Sequence, residues 1–189
     1  MKQQVNFFLI ILFAGLVTYA QDAKFSATLG YPIAVGDNFL EQYSSIVDVG
    51  AQYRFLEAGP VHIGASANAS FFSRSTTLNT TIKRKLSLVQ PRVFGELNAA
   101  VLRGFRPSLG LGYTISSIAS KSENDSSVDE TDSSGAINVN LGVAYDITKN
   151  LFAFISYDYL NYTEDFPPTL DNSYFGNASF IKLGAGIRF

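Results

Sequence analysis

The chain has 189 residues, 47% of them apolar and 16% charged, with no Cys, no Trp and a formal net charge of −2. That length suits one domain plus a removable segment, and the apolar fraction excludes a disordered chain. The missing Cys excludes a disulfide scaffold, a thiolate metal site and a lipidated Cys, and the charge offers no pull towards nucleic acid.

Residues 1–6 carry one charge, Lys2, and Phe7–Val17 is an apolar run closed by Thr18-Tyr19-Ala20. A basic start, a short apolar run and small residues at −3 and −1 read as a secretory signal over 1–20, removed before Gln21. The run is too short to span ~30 Å of hydrocarbon as a helix. The mature domain is expected over 21–189.

From Lys24 onward the apolar period is two, and it recurs in eight segments. The odd positions carry Phe25 to Ile33, Val47 to Phe55, Val61 to Phe71 and Val89 to Leu97. They continue through Phe105 to Ile115, Ile137 to Ile147, Leu151 to Tyr159 and Ser179 to Phe189, and none of these odd positions is charged. The even positions are mostly polar, charged or glycine, although the seventh segment puts Phe152 and Phe154 there. Period two with one apolar face predicts half-buried strands.

Three features point to lipid rather than water on the apolar face. Aromatic rings (Tyr31, Phe55, Phe71, Phe105, Tyr113, Tyr145, Tyr157, Phe189) gather near the segment ends, as interfacial side chains do. The polar face is rich in Gly, Ser and Asn, which suits a crowded lumen. The connections also alternate: Glu57–Pro60, Asn98–Gly104 and Thr148–Asn150 are short, whereas Gly36–Tyr43, Ser73–Lys83, Ala119–Gly135 and Tyr162–Asn177 are longer. Short periplasmic turns and long outer loops are the rule for outer-membrane barrels, and closure leaves no edge in lipid. The expected fold is all-β: an eight-stranded antiparallel up-and-down transmembrane β-barrel with both termini periplasmic. Pro91 and Pro107 lack an N–H, so bulges or lost pairing are expected there. Leu86 and Leu88 fall on the even phase, which suggests a register shift across 84–91.

An eight-stranded barrel has a lumen that side chains just fill. The even phase supplies Arg54, Arg92, Arg106, Lys182 and Arg188 against Asp48, Glu96, Asp146 and Asp158. Buried charges persist when paired, so a lumen ion-pair network that plugs the barrel is expected. The one histidine, His62, lies just past a short turn on the lumen phase, the wrong place for a hydrolase acting on outer-leaflet lipid. Lys121–Ser134 is acidic and low in complexity. Asp125, Asp129, Glu130 and Asp132 there form a carboxylate set of the kind Ca²⁺ takes, but without the spacing or glycine of an EF-hand, so a solvated loop is the plainer reading. Lys83, Arg84 and Lys85 lie where strand four meets the outer surface, suited to lipopolysaccharide phosphates.

Gln90-Pro91-Arg92-Val93-Phe94, Arg106 to Tyr113, Ser156-Tyr157-Asp158-Tyr159 and Lys182 to Phe189 give the mature chain its family character. It resembles the small outer-membrane β-barrel proteins of Gram-negative bacteria, of the OmpA/OmpX-like type. It is most similar to the "outer membrane protein beta-barrel domain" or porin-family proteins common in Bacteroidetes. The resemblance implies an outer-membrane location and outer-membrane lipid as surroundings. It also implies an assembly signal in the last strand (Ile181, Leu183, Ala185, Ile187, Phe189) read by the barrel-assembly machinery. No cofactor is implied. The expected role is non-enzymatic: stabilising the membrane and presenting surface loops for adhesion to an unspecified extracellular ligand. A narrow passive pore and a lipid A-modifying enzyme stay open as alternatives.

Overall fold

The computed structural model describes residues 24–77, 81–122, 130–162 and 176–189. Eight strands form one closed barrel in sequence order: β1 Phe25–Ala34, β2 Ser44–Ala58, β3 Val61–Thr77, β4 Thr81–Leu97, β5 Phe105–Ser122, β6 Glu130–Asp146, β7 Leu151–Tyr162 and β8 Asn177–Arg188. Every neighbouring pair is antiparallel, and β8 closes on β1 from Ser26↔Arg188 to Ala34↔Phe180. Beyond that ladder Phe25 and Phe189 exchange backbone hydrogen bonds of 3.1 and 3.0 Å. The start of β1 and the end of β8 thus lie at the rim that carries the β2–β3, β4–β5 and β6–β7 turns.

Period two decides which face each side chain takes. Leu29, Val93, Leu109, Leu111 and Leu141 on the odd phase are all more than half exposed, and Asp48, Gln90, Asn138 and Asp158 on the even phase are fully enclosed. Among the described residues no helix is long and apolar enough to cross a membrane. A strand crosses with about ten tilted residues. β3, β4 and β6 have 17 residues and β5 has 18, so this wall stands above the 10- and 12-residue β1, β7 and β8.

Several sequence expectations need correction. The connections at Ser73–Lys83 and Ala119–Gly135 are largely strand: pairing continues to Thr77↔Thr81 and to Ser120↔Glu130. Ser, Thr and charged residues end the apolar alternation there, but outside hydrocarbon water can solvate them while the ladder goes on. No register shift occurs in β4, whose pairing with β3 runs unbroken from Val61↔Leu97. Leu86 and Leu88 are simply lumen residues, 1% and 0% exposed. Of the two outcomes expected at the prolines, lost pairing is the one seen. At Pro91 the β4–β5 pairing lapses between Val89↔Ile115 and Arg92↔Gly112 and resumes in the same register; near Pro107 it ends at Glu96↔Ser108. The bulges are in β2 instead, where the register with β3 slips between Ser45 and Val47 and again between Arg54 and Leu56. An extra residue in one strand bends it and sharpens its twist. The second bulge leaves Phe55 and Leu56 both exposed although they are adjacent.

Candidate functional site

The barrel interior divides into three storeys. At the short-turn end Arg54 grips Glu96 through two bonds of 3.0 Å, Nε to Oε1 and Nη2 to Oε2, and gives a third of 2.8 Å to Ser26. Arg106 bridges Glu96 at 3.4 Å and Asp146 at 2.8 Å, and Arg188 pairs with the other Asp146 oxygen. Three guanidiniums share two carboxylates there. The Arg188 Nε and Nη2 atoms are buried without a hydrogen-bond partner, and its guanidinium sits 4.1 Å from the centre of the Phe152 ring. A π-face attracts a cation and softens that deficit.

The middle storey is balanced. Asp158 accepts from Arg92 Nη1 at 2.6 Å and faces Lys182 Nζ at 3.0 Å, while Asn138 and Asn140 donate to it at 3.2 and 3.1 Å. Asp48 faces Lys182 at 3.6 Å and accepts from Asn68 and Ser70 at 2.9 and 2.6 Å. All nine charged side chains expected in the lumen are therefore found there, joined through Ser, Asn and Gln. A cavity of about 50 Å³ lies beside them, lined by Asn68, Arg92, Asn140 and Lys182 among others. That is room for a few waters.

The third storey was not anticipated. Between the polar network and the tall rim lies an apolar plug: Phe39, Leu40, Phe72, Leu86, Leu88, Ala136, Leu160, Tyr162, Ala178 and Phe180. Phe39 and Leu40 come from the β1–β2 connection, which folds inward as a 3₁₀ turn over Phe39–Gln42. Asn38 caps that turn, its Oδ1 accepting from Leu40 N at 3.0 Å and its Nδ2 donating to Val35 O at 2.8 Å. Phe72 and Phe180 meet edge to face with ring centres 6.0 Å apart. The signal was present in the sequence. Phe72, Leu86, Leu88, Leu160 and Phe180 are apolar side chains on the inward phase, all near the outer ends of their strands.

His62 faces inward, opposite Glu57 on β2 and Glu96 on β4, and its Nδ1 is buried without a hydrogen-bond partner. Arg84 and Lys85 are exposed on the outer part of β4, with Lys83 beside them. Asp125 and Asp129 lie outside the described residues, as does the proposed signal over 1–20. Glu130 opens β6, and Asp132 is exposed opposite Ile118. Among the described residues no three His, Cys, Asp or Glu side chains gather as a metal site would require. On β8, Leu183, Ala185 and Ile187 face outward and exposed, with Ile181 and Phe189 half-buried at its two ends.

The fold recurs among solved structures. Neisserial surface protein A (NspA) aligns at a TM-score of 0.56 and 18% identity, covering 87% of this chain and 94% of that one. Ail, the attachment invasion locus protein of Yersinia pestis, solved with the heparin analogue sucrose octasulfate, aligns at 0.55 and 16%, covering 88% and 97%. A major outer membrane protein from Thermus thermophilus aligns at 0.53 and 17%, covering 89% and 100%. At such identities the likeness establishes the fold alone. No curated protein matches the chain significantly. The family model described as outer membrane protein beta-barrel domain matches residues 7–189, and with a closed barrel that is apolar outside and charged within, the chain belongs to that family of integral outer-membrane proteins.

Proposed function

We propose that the protein is a non-enzymatic barrel, closed to solutes, that stabilises the outer membrane and offers its tall rim and outer connections for contact with surface ligands. One observation carries this reading: the lumen is filled in series, by ion pairs below and by the Phe39–Leu40 plug above. A solute would have to break a buried salt-bridge network and then displace an apolar core. In this orientation the termini face the periplasm, Lys83, Arg84 and Lys85 stand at the level of lipopolysaccharide phosphates, and Ile181, Leu183, Ala185, Ile187 and Phe189 present the assembly signal.

Planar-bilayer recording tests it: a flat baseline is expected, and steady ohmic conductance would restore the narrow pore. Lipid A from cells with and without the gene should give the same mass spectrum; an altered acyl pattern would establish an enzyme. Because the chain has no Cys, Asp125→Cys gives a single label site. A membrane-impermeant maleimide should reach it on intact cells if the longer connections face outward.

A further inference from the structure

On the tall wall, sheet register sets Arg74 directly opposite Arg84. Like charges opposed across a ladder are destabilising. The contrast with the lumen is sharp. There Arg54, Arg92, Arg106, Lys182 and Arg188 each meet a carboxylate. Arg74, Arg84 and Lys85 have no carboxylate among the described residues within ion-pair distance.

The β1–β2 connection touches the arginine pair at Arg74. Gln42 Oε1 accepts from Arg74 Nη1. Tyr43 packs against the apolar plug, within the electrostatic reach of both guanidiniums. Burial raises its phenol above the ordinary range, and Arg84 and then Arg74 pull it back down.

We propose that Arg74 and Arg84 form a binding site for a tetrahedral oxyanion, a phosphate or sulfate ester, at the outer rim. Such a group brings more charge than a carboxylate to offset two guanidiniums, and three or more oxygens to meet their N–H donors. It would turn an opposed like-charge pair into two charge-assisted contacts. The site rests on the reading of this rim as the interaction surface. Its failure would leave the closed lumen, which conductance tests, untouched. The ester can come from lipid in the same leaflet or from a soluble ligand.

The test uses the full barrel in zwitterionic phospholipid nanodiscs, titrated calorimetrically with sodium tripolyphosphate. Saturable binding is expected. Arg84→Gln should weaken it about tenfold to a hundredfold, the worth of one charge-assisted contact, and Arg84→Lys by less. Lys83→Gln with Lys85→Gln should change it by under about threefold, because neither residue belongs to the arginine pair. Heat-modifiable gel migration confirms that each variant is folded. Absent binding, or equal loss in the lysine and arginine variants, would overturn the site, the latter reducing it to diffuse positive charge. A second arm adds lipopolysaccharide to the discs: competition with tripolyphosphate assigns the site to the lipid's phosphates, and unchanged binding assigns it to a soluble ester.

Discussion

Asp158 is the residue on which the lumen most depends. It is fully buried and holds two cations, Arg92 at 2.6 Å and Lys182 at 3.0 Å. Asp158→Asn keeps the shape and removes the charge, taking the middle storey from two against two to one carboxylate against two cations. Lys182 retains Asp48 at 3.6 Å and Gln90 at 3.2 Å. Arg92 fares worse: its Nε is already unpartnered, and beside its 2.7 Å bond to Asn68 it is left with a neutral amide oxygen and no counter-charge. Stranding one buried charge costs about 3–5 kcal/mol, and the water-sized cavity beside Arg92 argues for the lower end, about 3 kcal/mol. Urea unfolding in detergent micelles, followed by tyrosine fluorescence in this Trp-free chain, reads the loss directly. Adding Lys182→Met restores charge balance and should recover at least about 1 kcal/mol as coupling energy. A single-mutant loss below about 0.5 kcal/mol would mean that the lumen is solvated like bulk water, refuting the closed, ion-paired interior.

Leu88→Ala and Phe180→Ala should each cost about 2–5 kcal/mol on the same unfolding curves, because both side chains are enclosed in the apolar plug; losses typical of a lipid-exposed site would contradict that placement. A Cβ at Gly64 would press on the Tyr53 carbonyl oxygen and lie 2.6 Å from Phe94 Cζ, so Gly64→Val should destabilise by about 1–3 kcal/mol, and the added Phe94→Leu should relieve only the share due to the ring. The Tyr43 phenol, found by ultraviolet difference titration against Tyr43→Phe, should ionise above the ordinary tyrosine range. Arg84→Gln should move it higher still, since that guanidinium lowers it. Unchanged titration in Arg84→Gln would separate the two side chains.

Strand number, closure and facing were legible because lipid and a packed lumen demand opposite chemistries at every second residue. Phe25 through Phe189 on the odd phase left no doubt about which side is wet. The nine lumen charges were legible for the same reason, although phase alone does not tell which carboxylate Arg106 or Lys182 chooses; strand stagger decides that. The bulges at Ile46 and Phe55 left no local mark. Both prolines did carry a mark and absorbed it as unpaired ladder instead. The plug was misread because Leu86 and Leu88 looked like a strand out of phase, when a three-dimensional reason existed for apolar side chains inside. They cover Phe39 and Leu40, which no periodicity placed in the lumen because they lie between strands.

The fastening of that connection has a consequence for the order of events in time. Val35 N donates to Ser179 O at 3.0 Å, and Ser179 Oγ donates to Val35 O at 2.8 Å, so a segment next to the first strand is held by the last. Phe180, on the same last strand, supplies part of the pocket that receives Leu40. A nascent barrel with seven strands paired therefore has an open mouth, and it seals only at the final zippering step. The ordering of residues 35–40 is thus a built-in marker of maturation, separating a finished barrel from one stalled a single strand short.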